Sequence, residues 1–304
     1  MARDPIRTVE AYSIHGHVAS GTEDESLLDY PRFFQHLLTE DLRVLRMQLG
    51  DDVVAISEQH EDGQRLSFRF VIGNTQDLPL VYDLDSATAT EINPGTDRLV
   101  VRGAWVFALP GIRLLFVEKK RPGVPIFQIE RFLSNYGRSQ LGLDGLTISL
   151  NPVPSSDFAQ EIEEMTRVRE ATIVMRRPNY SWTATAGELI GGPATESNAA
   201  SVRLQVSADR GQSLEKKRGV VHDLLGLVSR PITGLKNAIV KGNSPHHVGE
   251  RTISLERSKV KASKRISKDA SDEELRDSLG ALANETAEAI VTPTPIDGHG
   301  GAPA

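Results

Sequence analysis

Between residues 112 and 179 the chain alternates strand and helix in a set order, and that alternation limits the fold more than any other feature. IRLLFVEKK (112–120) is an apolar strand that ends in charge. PIFQIERFLSNYG (125–137) spaces Phe127, Ile129, Phe132 and Leu133 as the inward side of a helix, with Gly137 as its stop. LTISLNPVP (146–154) is a strand ended by two prolines. Ser155, Ser156 and Asp157 then open FAQEIEEMTRV (158–168) as a capped helix with acids near its positive end. EATIVMRRPN (170–179) is a closing strand whose exit is set by Pro178. Strand–helix–strand–helix–strand in this order reads as one compact α/β or α+β unit.

Upstream the signals are those of a sheet. Residues 6–18 form a strand of mixed alternation, followed by a turn and helix start at Ser20-Gly21-Thr22-Glu23. Leu27, Leu28, Phe33, Phe34, Leu37 and Leu38 recur at helical spacing, and Pro31 forbids one long helix through them. VVAISEQ (53–59) and RLSFRFVIG (65–73) are joined across Asp62-Gly63, a hairpin dipeptide. PLVYDLD (79–85) and RLVVRGAWVFAL (98–109) continue the α+β pattern.

Beyond Asn179 the pattern loosens. AGELIGGPATESNAA (186–200) reads as a hinge or loop, and SVRLQVSAD (201–209) as one more strand. Residues 213–243 carry Leu214, Val221, Leu224, Leu225, Val228 and Ile232 at helix-like intervals. Ser271-Asp272-Glu273-Glu274 has capping-box spacing and starts a short helix to about Ile290. The remainder is tail. Hydrophobic content of 39% sits below the usual ~45–50%, as a solvated stretch at residues 241–304 requires.

Charge is sorted along the chain. Residues 210–268 hold 14 Lys and Arg against 4 Asp and Glu, a local net of +10. Residues 269–304 hold 8 acids and one Arg, and residues 1–64 hold 13 acids and 5 Arg. The formal total of −6 thus conceals a basic segment between two acidic ones. Such a segment attracts polyanions without reading their chemistry. Its lysines and arginines neutralise phosphates and release counterions. No Phe, Tyr or Trp follows Trp182, so base stacking, the usual device of single-strand binders, is missing and duplex backbone is the expected partner. The acidic end (269–304) is a candidate internal mimic of phosphate that restrains binding.

Motifs for chemistry are sparse. Cys is absent, which removes disulfides, thiolate zinc sites and thiol catalysis. Neither G-x-x-x-x-G-K-[ST] nor G-x-G-x-x-G occurs, and no cofactor is expected. Glu118-x-Lys120 with Asp97 upstream has the outline of a metal-dependent nuclease, in which acids hold the ion and the lysine polarises water; a charged strand end is the commoner meaning. His15-x-His17 puts two imidazoles on one strand face with no third ligand in view. Arg176-Arg177-Pro178-Asn179, with Tyr180 and Trp182, reads first as a core closure and hinge. The first twenty residues lack a signal peptide's apolar core and no run suits a membrane span. A cytoplasmic binding protein is favoured over an enzyme.

The run GAWVFALPGIRLLFVEKK, then IFQIERFLSNYG, then LTISLNPVPSSDFAQEIEEMTRVREATIVMRRPN resembles the RexA-like phage exclusion proteins, with Phe116-Val117-Glu118 as the matching tripeptide. The resemblance covers roughly a quarter of the chain. It implies a fold similar to RdgC and a two-domain homodimer that binds double-stranded DNA without sequence preference. The setting it implies is phage exclusion or the lysis–lysogeny decision.

Together these readings give an α+β, two-part protein: a sheet-rich body over 1–185, a hinge and basic helical region over 186–243, and a largely flexible basic then acidic tail over 244–304. Non-specific double-stranded DNA binding as a homodimer is expected. The contacts are Lys216, Lys217, Arg218, Lys236 and Lys241, with Arg251, Arg257, Lys259, Lys261, Lys264 and Arg265 from the flexible stretch. The alternatives are the metal-dependent nuclease and an adaptor whose basic region docks an acidic partner or a membrane-protein effector.

Overall fold

A computed structural model describes residues 4–18, 28–74, 76, 79–92, 94–95, 97–176, 199, 201–230 and 234–292. The expected helix start at Ser20–Glu23, the Arg177–Trp182 stretch, most of the 186–200 hinge and the tail from residue 293 lie outside them. The protein is α+β, with sheets dominating the body and a helix near the carboxyl end. The first half runs β1 (Ile6–His17), α1 (Tyr30–Thr39), β2 (Arg46–Leu49), β3 (Asp52–Asp62), β4 (Arg65–Asn74), β5 (Leu80–Asp83), β6 (Thr88–Glu91), β7 (Arg102–Leu109), β8 (Leu114–Glu118), α2 (Ile126–Gln140) and β9 (Thr147–Pro152). The second half runs α3 (Ser156–Glu163), β10 (Arg167–Arg176), β11 (Ser201–Ser207), α4 (Gly219–Val228), β12 (Leu235–Asn243), β13 (Glu250–Ser254), β14 (Lys261–Arg265) and α5 (Asp272–Val291). No described helix is long and apolar enough to cross a membrane.

The main sheet has the order β14-β1-β8-β7-β4-β3-β2, and β9 also pairs with β1. β1 is covered on both faces, which is why its sequence alternates so poorly. Val9 and Ala11 pack with Trp105, Phe107 and Phe116 under Leu279, Ala283 and Ala287 of α5. Tyr12 and Ile14 join Phe68, Phe70 and Leu115 beneath Phe33, Phe34 and Leu37 of α1 and Ile129, Phe132 and Leu133 of α2. α1 starts where Pro31 is harmless, in its first turn, with Asp29 accepting from the Arg32 amide at 3.0 Å. The β3–β4 hairpin forms as expected. Asp62 pairs with Arg65, so Gly63-Gln64 is the loop, and Gly63 takes φ +62°.

Several local expectations are corrected. Gly137 does not stop α2, which runs on to Gln140. A Cβ at Gly137 would collide with Leu146 Cδ2, so the glycine is there for close packing. Phe127 points outward and is 55% exposed. Ser155 precedes α3 but does not cap it with its hydroxyl, which donates to Ser258 O at 2.7 Å. The strand–helix alternation over 112–179 is not one unit. β8 and β9 lie in the main sheet, whereas β10 lies in a second sheet of order β11-β10-β12-β13. One face of that sheet buries Ala171, Ile173, Ala238 and Val240 against Phe158 and Ile162 of α3 and Val221 and Leu224 of α4.

The second sheet is therefore an insertion between β9 and β14, and its two crossing segments pair with each other. Val260 N donates to Val153 O at 2.8 Å, Ser155 N donates to Ser258 O at 3.0 Å, and Pro154 and Lys259 form an isolated antiparallel bridge. β9 and β14 then lie end to end along one side of β1, at Tyr12–His17 and Ile6–Glu10 respectively. The outer edge of β9 is closed by side chains. Ser134 Oγ accepts from Ile148 N at 2.8 Å, Glu130 Oε1 accepts from Leu150 N at 2.7 Å, and Lys236 Nζ donates to Leu150 O at 2.9 Å.

The carboxyl region differs most from expectation. Residues 213–243 form one ten-residue helix and then strand β12, and residues 244–268 contain β13 and β14 where a flexible tail was expected. The capping box at Ser271 and Glu274 is formed, and α5 is twenty residues long. Because α5 supplies core, it is not a detachable acidic tail. Leu279→Ala should lower stability by about 2–5 kcal/mol, the cost of an incompletely filled core site. Urea unfolding followed by circular dichroism checks this, and an unchanged midpoint would show that α5 does not hold the body together.

Candidate nucleic-acid interface

The cations expected to meet phosphate divide into two groups. Lys216 donates to Glu163 O at 2.6 Å and Met165 O at 2.8 Å, closing the carboxyl end of α3. Lys236 pairs with Glu130 as well as Leu150 O. Lys241 pairs with Glu170 at 2.8 Å and Arg251 with Glu161 at 2.8 Å. Lys259 is only 4% exposed. These five are engaged inside the molecule. Lys217, Arg218, Arg257, Lys261, Lys264 and Arg265 are exposed, but they do not share one surface.

Pairing in β14 sorts three of them. Lys261 lies opposite Glu10 and Arg265 opposite Ile6, whereas Lys264 lies opposite Arg7. Successive strand residues point to opposite faces. Lys261 and Arg265 therefore share the face of Ile6, Thr8 and Glu10, and Lys264 is on the α5 side. The first face continues across β1: Lys119 N donates to Thr8 O at 2.8 Å, and the Thr8 and Ser263 hydroxyls are 2.8 Å apart. Beyond it the loop 119–125 brings Lys120 and Arg121, both exposed and without an ion-pair partner among the described residues. Lys119, Lys120, Arg121, Lys261 and Arg265 thus border a strand surface that carries two hydroxyls. The face is open at its outer end, where Ile6 is exposed, and meets the start of α2 near Glu10.

At the floor of this surface lies a buried ionic cluster. Lys119 Nζ is 2.6 Å from Glu10 Oε1, and Lys259 Nζ is 2.8 Å from Glu10 Oε2. Lys259 also reaches Glu256 at 2.7 Å and Tyr12 Oη at 2.7 Å, while Tyr12 donates to Glu10 at 3.0 Å. Burial alone would raise the Glu10 carboxyl, but hydrogen bonds from Lys119 and Lys259 and their charges outweigh it and hold the group below its ordinary 4.5. Tyr12 is driven well upward, first by burial and then by the charges of Glu10 and Glu256.

The sequence singles out Lys261 and Arg265 but not Lys119, Lys120 and Arg121, which border the same face, although KKR directly follows a clear strand. It gave no hint of Thr8 or Ser263, whose meeting depends on a pairing across 255 positions. The nuclease set is not assembled. Glu118 is buried, accepting from Trp105 N at 3.2 Å and facing Arg7 on the α5 side, and Asp97 is exposed on the segment before β7. Among the described residues no three His, Asp or Glu side chains are grouped to hold a metal ion. His15 is buried beside Ser13, with Ser13 Oγ 3.0 Å from Nε2. The Arg113 guanidinium, which can only donate, is 3.3 Å from Nδ1.

Glu10 has a pH signature. Its carboxyl is more acidic folded than unfolded, so its contribution to stability is complete above pH 4.5 and is lost as pH falls through the lower folded value. Glu10→Gln should cost about 3 kcal/mol at pH 7, the usual penalty for breaking a buried pair. It should also flatten the loss of stability below pH 4.5. Chemical denaturation from pH 3 to 7 measures both, and parallel curves for variant and parent would refute the assignment.

Comparison with known proteins adds one match: a family model described as a domain of unknown function (DUF4747) covers residues 105–230. That span begins within β7 and ends after α4, so it takes in strands of both sheets and the exit into the insertion. No curated protein matches the chain.

Proposed function

We propose that the chain binds the backbone of double-stranded DNA without reading its sequence, the role implied by the likeness to RexA-like exclusion proteins. The observation that carries the proposal is the gathering of Lys119, Lys120, Arg121, Lys261 and Arg265 from two distant parts of the sequence onto one sheet face open at its outer end, with the Thr8 and Ser263 hydroxyls between them. Cations and hydroxyls of this kind contact phosphate and position a protein on a duplex, but they carry no sequence information.

Charged residues on an edge strand also have a plainer role, since they discourage pairing with other chains. That explains Lys261 and Arg265 on β14. It does not explain Lys120 and Arg121, which lie in a loop on the far side of β1. The strand residues of the face, Ile6, Thr8, Glu10, Lys261, Ser263 and Arg265, include no aromatic ring, so they offer no platform for stacking bases. This favours the duplex over the single strand.

Filter binding with duplexes of unrelated sequence should give equal affinities. The substitution Lys120→Ala/Arg121→Ala/Lys261→Ala/Arg265→Ala should weaken all of them by about two orders of magnitude at low salt, as the loss of several phosphate contacts requires. Lys217→Ala/Arg218→Ala, which alters cations beside α4, should change affinity far less. Equal loss in the two variants would place the contact surface elsewhere.

A further inference from the structure

We infer that the cleft behind this cationic face takes a terminal phosphate group, so that the protein prefers phosphorylated duplex ends. The inference rests on the duplex-binding proposal and adds the chemical group that the cleft selects. The cleft has a volume of about 250 Å³ and is bounded by β1, the end of β8, the loop leading to α2, and the stem of the insertion at Glu256 and Lys259.

Charge is the first argument. Lys119, Lys120, Arg121 and Lys259 line the cleft against the carboxylates of Glu10 and Glu256; Glu118 lines it too, but its carboxylate is taken by Arg7 and Trp105 N. With Arg7 counted against Glu118, five cations face three carboxylates and two positive charges remain. A phosphomonoester carries about −1.5 to −2 at neutral pH, whereas a diester within a strand carries one charge. The monoester is the closer match.

Shape gives the second argument. The cleft, of about 250 Å³, has room for a single phosphate with part of its nucleoside, the group that a chain end presents. The surroundings of α2 agree. This fifteen-residue helix opens on the cleft at Val124, Pro125 and Ile126, with no side-chain cap and no acid in its first turn. Cations gathered at the positive end of a helix repel it unless an anion lies between them. Lys259 and Glu10 are already paired at the floor. The rim cations Lys120 and Arg121, with Lys119, are the groups available to the phosphate.

The test compares otherwise identical short duplexes bearing 5′-phosphate or 5′-hydroxyl ends. The phosphorylated duplex should bind about tenfold more tightly, the worth of roughly one charge-assisted hydrogen bond. Lys120→Ala/Arg121→Ala should abolish that ratio, while Lys261→Ala/Arg265→Ala should weaken both duplexes and preserve it. Equal binding of the two duplexes by the parent protein overturns the inference and leaves the backbone proposal intact. Should neither duplex bind, the backbone proposal fails, and a nucleoside monophosphate added at constant ionic strength decides the cleft. A rise in unfolding temperature that is absent in Lys120→Ala/Arg121→Ala upholds the site, and no rise overturns it. The unliganded variant must match the parent's unfolding temperature, which its exposed positions predict.

Discussion

Lys259 is an ammonium group sealed from water, and the rest of the molecule is arranged around it. A buried charge is very costly unless its hydrogen bonds are met. Glu10, Tyr12 and Glu256 accept all three of its protons. The lysine stands where the chain returns from the inserted sheet to the main one, beside the bridge with Pro154. Its pairing therefore fixes β14 against β1 and holds the stem closed. Lys236 does related work farther along, joining β12 to Glu130 and the edge of β9. The two sheets meet through charge as well as apolar contact.

This arrangement changes what the basic segment means. A net charge of +10 over residues 210–268 suggests a long cationic surface, but five of its expected contacts are spent on internal carboxylates and carbonyls. The surface that remains draws as much from the KKR run after β8 as from that segment. Across the sheet, α5 exposes Glu273, Glu274, Asp277, Glu285 and Glu288. Charge is thus sorted by face, cationic on the uncovered end and acidic over the helix. A polyanion approaching such a molecule is oriented before it makes contact.

The sequence was readable where structure is local. The hairpin around Gly63, the strand at 114–118 and the capping box at Ser271 each depend on residues a few positions apart, and all are present. It misled where pairing is distant. KASKR has little intrinsic preference for a strand and becomes β14 only by pairing with β1, some 250 positions away; β propensity reflects such surroundings more than the residues themselves. Residues 235–243 continue an apolar spacing that passes for helix, and their place between β10 and β13 settles them as a strand. Of the candidate interface, the sign of the charge was legible. Its membership was not, because Lys216 and Lys259 look like free cations until the carbonyls and carboxylates they satisfy are brought beside them.

The slope of log affinity for duplex DNA against log salt concentration tests the central claim most directly. For a cationic face on phosphate the slope is steeply negative, and each phosphate contact removed reduces it by about 1. Lys261→Ala/Arg265→Ala should therefore flatten the parent's slope by about 2. A parent affinity that does not respond to salt, or a variant slope equal to the parent's, would contradict the account.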